Sequence, residues 1–95
     1  MNYKLYFPTD FEYINSTNDN IDVCIELPDG KQYTVVVATP QNVQEMMKSG
    51  GNPYLEPSTP FLFVEELTEY NIRLLVDRLI QDSVLLRTYG EDLWQ

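Results

Sequence analysis

The 95-residue sequence predicts a single α+β domain, a mainly antiparallel sheet with two helices on one face, in the order β-β-β-α-β-α. Three stretches carry that expectation. Ile21, Val23, Ile25 and Leu27 alternate with Asp22, Cys24 and Glu26, and after Pro28-Asp29-Gly30 the run Lys31 to Ala38 resumes the pattern. Alternation on both sides of a turn signal reads as a β-hairpin. Thr39-Pro40 opens a helix and Ser49-Gly50-Gly51 closes it. Ile72, Leu75, Val76, Leu79 and Ile80 then recur at i, i+3, i+4, i+7 and i+8, the stripe of an amphipathic helix.

Taken in order, Tyr3 to Phe7 is a short aromatic-rich strand halted by Pro8. Phe11 to Ile14 is expected to be a second short extended piece, and Asn15 to Asn20 a polar loop. In the hairpin turn, Pro28 pre-sets φ and Gly30 takes the positive φ that closes a type I turn with a bulge. Val35, Val36 and Val37 in succession predict an interior strand covered at least partly on both faces. In the first helix, Val43, Met46 and Met47 share one face and are expected to fill the core beneath it.

Gly50 to Pro60 holds three prolines and displays Tyr54, Leu55 and Glu56. It is either part of a binding surface or a wrapped connection with Tyr54 and Leu55 tucked inward. Phe61 to Glu65, apolar on both faces, is expected to be a buried strand. Thr68 starts the second helix, with Leu67 and Ile72 placed for a hydrophobic staple. The stripe loses phase at Ser83, so Val84 to Leu86 is assigned to a separate turn or short extended piece. Gly90 to Gln95 is a tail whose Trp94 packs either on the sheet or on a second copy.

Composition then limits the chemistry. Six Lys and Arg face fifteen Asp and Glu, a net charge of −9, with no His and one Cys. Without His the usual general base and the usual metal ligand are both missing. Cys24 has no partner for an internal disulfide and is expected to be a buried, inert thiol. Neither a phosphate-binding glycine loop nor a zinc or calcium spacing is present. Glu65, Glu66 and Glu69 form a carboxylate cluster, which is read as favourable charge at a helix N-terminus. The expectation is a protein that is not an enzyme, with no catalytic residues, no cofactor and no metal. Its acidity opposes direct nucleic-acid binding. No signal-peptide pattern or apolar run of membrane-spanning length occurs, which points to the cytoplasm and away from a membrane.

The stretch from Ile21 to Tyr33, with its Leu27-Pro28-Asp29-Gly30 turn, is followed by Thr39 to Met47 and by Phe63 to Ile72, with its Leu67-Thr68-Glu69 junction. Together these segments resemble small acidic bacterial immunity-type proteins, which neutralise the toxins of polymorphic or contact-dependent systems. The resemblance implies an inhibitor that binds a basic toxin domain directly. Those segments are scaffold, so it transfers no binding residue to this chain. Asp22 and Glu26 on the polar side of the hairpin, with Tyr54 and Glu56 on the proline-rich loop, are the candidate partner contacts read from the sequence itself. The alternative is a small structural or assembly subunit, phage or bacterial, acting through a homodimer or larger homo-oligomer.

Overall fold

A computed structural model describes residues 2–57 and 60–92. Its α+β architecture is built on a five-stranded mixed sheet. β1 (Lys4–Tyr6), β2 (Asn20–Glu26) and β3 (Gln32–Ala38) are followed by α1 (Pro40–Gly50), β4 (Phe61–Phe63), α2 (Glu69–Ile80), α3 (Ser83–Tyr89) and β5 (Glu91–Asp92). β1–β2 and β2–β3 pair antiparallel, and β3–β4 pair parallel, as expected for a strand–helix–strand crossover. β5 also pairs with β3, antiparallel, at Tyr33 and Thr34.

The hairpin forms as its sequence requires. Gly30 has φ +89°, and its N–H donates to the Leu27 carbonyl at 2.9 Å while Leu27 N–H donates to the Lys31 carbonyl at 2.8 Å. Alternation then sends Ile21, Val23, Ile25, Tyr33, Val35 and Val37 to one face, where all are buried. α2 closes that face with Ile72, Val76 and Leu79, and α3 adds Leu86. Leu67 and Ile72 are both buried in the same cluster, as a staple requires. The Thr68 hydroxyl caps α2 by accepting from Asn71 N–H at 3.1 Å.

Several sequence expectations are corrected. Phe11–Tyr13 is a 3-10 turn, not an extended piece, because the Asp10 carboxylate accepts from Glu12 N–H and caps it. Phe7 and Phe11 meet edge to face at 4.9 Å, fixing this turn to the end of β1. Ser83–Tyr89 is a helix in its own right, capped by Asp82, whose carboxylate accepts from Val84 N–H at 2.9 Å. The second layer is therefore α2 and α3. α1 has the predicted ends, Thr39 as cap and Gly51 in the left-handed region at φ +69°, yet it contributes no buried side chain. Val43, Met46 and Met47 are only half-buried and lie outside the core cluster. The radius of gyration, 13.7 Å, exceeds the ~12 Å of a compact chain of this length, which fits a helix standing outside the core.

The Phe61–Glu65 expectation holds for Leu62 alone: β4 ends at Phe63, which is half-exposed. Cys24 is half-buried on the face away from the helices, its Sγ 3.7 Å from the Thr34 hydroxyl, instead of sitting in the core. Trp94 lies outside the described residues.

Two substitutions separate turn from core. Leu79→Ala empties a site that is 3% exposed and is expected to cost about 2–5 kcal/mol. A Cβ at Gly30 meets nothing within 4 Å, so Gly30→Val is opposed by backbone conformation alone, at about 1–3 kcal/mol. Denaturant melts of both variants check this, and wild-type midpoints for both would contradict the arrangement.

Candidate functional site

The sheet is covered by helices on one face only, and the other face is the candidate site. Strand register defines it. Lys4, Glu26 and Gln32 form one row, Tyr6, Cys24 and Thr34 the next, and Asp22, Val36 and Phe61 a third, with Phe63 beside Ala38 at the end. The face thus combines carboxylates with aromatic side chains. Tyr6 and Phe63 are about half-exposed, at 48% and 51%. Single exposed apolar residues are ordinary on protein surfaces; several aligned on one uncovered sheet face are not.

Asp22 and Glu26 therefore lie on the same face of the same strand, as the alternation predicted, but their surroundings differ. Asp22 is exposed. Glu26 is partly buried; it accepts from Gln32 Nε2 at 3.0 Å and lies 4.0 Å from Lys4 Nζ. Screening makes that long ion pair a weak one. Tyr54, at 53% exposure, and Glu56 are solvent-facing on the loop after α1. No hydrogen bond or ion pair among the described residues joins them to Asp22 or Glu26. The loop does run into Pro60, and four residues of chain keep Glu56 within about 14 Å of it.

Pro60 belongs to a notch in the same face. β4 and β5 lie end to end along one edge of β3, β4 beside Val36–Ala38 and β5 beside Tyr33–Thr34. The gap between them opens a cavity of about 440 Å³, lined among the described residues by Asp22, Thr34, Val36, Pro60, Thr88 and Tyr89. Gly90 forms its floor at the start of β5, where a Cβ would sit 2.7 Å from the Leu86 carbonyl and 3.1 Å from Tyr33 Cβ. Close approach to the Leu86 carbonyl, which leaves no room for a Cβ, is what requires glycine there.

The carboxylate cluster behaves as helix-end charge. Glu65, Glu66 and Glu69 are all exposed, and Glu69 pairs with Arg73 one turn later at 3.0 Å. Among the described residues no group of three or more His, Cys, Asp or Glu is arranged to hold a metal ion. Nor is any described helix long and apolar enough to cross a membrane.

Sequence reasoning missed Tyr6, Phe61, Phe63 and the notch. The first was recoverable, since Tyr6 alternates with Leu5. Phe61 and Phe63 sit in an uninterrupted apolar run, which carries no period to distinguish inner from outer face. The notch joins residues from four separate segments and has no local signal. Comparison with protein-family models, curated proteins and solved structures finds no match to this chain.

On the inner side of β1, Tyr3 ties the first strand to α2. Its hydroxyl donates to Asp77 Oδ1 at 2.5 Å. Burial, reinforced by the Asp77 carboxylate, pushes the phenol up from 10.0 to about 12. The raised folded value means that the contribution is fully present below pH 10 and is lost as pH rises towards 12. The stability difference between wild type and Tyr3→Phe is expected to hold constant from pH 7 to about 9 and to shrink between pH 10 and 12. Paired urea melts measure it; a difference unchanged across that window would contradict the Tyr3–Asp77 link.

Proposed function

We propose that this protein is a non-enzymatic inhibitor of the immunity type, which binds a basic protein partner, a toxin domain, through the uncovered sheet face. The observation that carries the reading is that Asp22, Glu26, Tyr6, Phe61 and Phe63 share the sheet face opposite the α2–α3 core, Tyr6 on the strand next to the carboxylates and the two Phe across β3 from them. A net charge of −9 attracts a cationic partner over long range and speeds encounter. Aromatic side chains supply the desolvated anchors that hold the complex once it forms. Two copies of so acidic a chain repel one another, which favours a foreign partner over self-association. Tyr54 and Glu56, exposed after α1, remain the sequence-derived candidate contacts beyond this face.

This division of labour is testable in kinetics. The partner is isolated by pull-down from the native host, and association and dissociation are followed between 50 and 500 mM salt. Association is expected to slow by about tenfold or more while dissociation changes little. Asp22→Lys should act on association. Phe63→Ala should chiefly speed dissociation, by an amount on the order of the 2 kcal/mol of a hot spot. Glu45→Lys, on α1, serves as a charge-matched control. Salt-independent association, with both face variants binding like wild type, contradicts the reading. Self-association as the sole interaction replaces it with the assembly subunit.

A further inference from the structure

We infer that the notch between β4 and β5 is a receptor for one arginine side chain of the partner protein. The inference rests on the partner-binding reading of the sheet face and specifies the chemistry of one cavity in it. At about 440 Å³ the cavity falls at the low end of the ~300–1,000 Å³ typical of ligand pockets, room for one long side chain.

The notch presents two groups that offer lone pairs, Asp22 and Thr88, beside the adaptable hydroxyls of Thr34 and Tyr89. Asp22 accepts only. Lys4 lies against Glu26 and Arg73 against Glu69, so Asp22 has no ion-pair partner among the described residues. The Thr88 hydroxyl already donates its proton to the Val84 carbonyl at 2.7 Å, so towards a ligand it offers lone pairs. The Thr34 hydroxyl, shared with Cys24 Sγ at 3.7 Å, can turn either way. A site of this kind disfavours anions and selects a donor-rich cation.

Arginine fits better than lysine. Its planar fork directs several N–H groups at once, to Asp22 and the two threonine hydroxyls, where an ammonium is a point charge. Val36 and Pro60 offer apolar wall to its methylene stem. Tyr89, also in the lining, is an aromatic side chain of the kind on which guanidinium groups stack. The floor is rigid, because Gly90 is pressed against Tyr33 and Leu86 and its N–H donates to the Leu86 carbonyl at 2.8 Å.

The test uses the whole chain and no partner. N-acetyl-arginine methylamide is titrated into the isotope-labelled protein, and amide shifts are followed by NMR. Saturable shifts are expected at Thr34, Thr88 and Gly90, with binding at least about tenfold weaker in Asp22→Asn, the loss of one charge-assisted contact. The citrulline analogue, of the same shape without the charge, should not bind, and the lysine analogue should bind more weakly. Glu45→Gln on α1 should behave as wild type. Shifts spread evenly over the acidic surface, equal binding to Asp22→Asn, or equal affinity for the lysine analogue would each overturn the arginine assignment. Because no partner is present, such a failure leaves the salt-dependent kinetics of the face to stand or fall separately. A partner that docks on the face while Asp22→Asn leaves its affinity unchanged overturns the notch alone.

Discussion

Strand β3 is the element on which the rest of the molecule depends. It pairs with β2 along one edge and with β4 and β5, end to end, along the other. Its inner side chains Tyr33, Val35 and Val37 are buried against α2 and α3, and Val35 and Val37 are wholly inaccessible. Hydrogen bonding on both edges and burial on one face make this segment the cooperative centre of the domain. The same strand underlies the candidate surface. The helices that pack on the core, α2 and α3, lie against its inner side, so Thr34 and Val36 on the outer side are only partly buried.

Two constraints shape that outer face. The first is the brevity of the strands sharing one edge of β3: three residues in β4 and two in β5 leave an interval where the edge is uncovered, and the notch occupies it. The second is charge. Burial on the inner side is almost wholly apolar; the exception is Thr39, whose hydroxyl donates to the Thr17 carbonyl and accepts from Asn42 N–H. The ionised groups are thereby forced outward, and a −9 chain concentrates acceptors on whatever surface it presents. Acidity and the uncovered face are separate facts of composition and topology. Their coincidence places an exposed carboxylate, Asp22, on that face.

Where local chemistry decides the conformation, the sequence was readable. The hairpin follows from alternation and Gly30, both α1 caps from Thr39-Pro40 and Gly51, and α2 from its stripe and the Leu67–Ile72 staple. Failures occurred where tertiary context decides. α1 carries an amphipathic pattern but no buried residue, because the core face of the sheet is already covered by α2 and α3. β5 has no strand signal at Glu91–Asp92 and exists by pairing with Tyr33 and Thr34. α3 was hidden by its length of seven residues, too short to show a period. Of the candidate contacts, Asp22 and Glu26 were legible through strand alternation, whereas the aromatic neighbours and Thr88 and Tyr89 are brought in by long-range packing.

The central claim is that a rigid core built on β3 and α2 supports an open outer face, with α1 standing apart from it. Native-state hydrogen exchange tests this directly. Amides of β2, β3 and α2 are expected to exchange only through global unfolding, with a denaturant dependence equal to that of the whole domain, whereas α1 exchanges through local opening that depends little on denaturant. Protection of α1 equal to that of β3 would contradict the account.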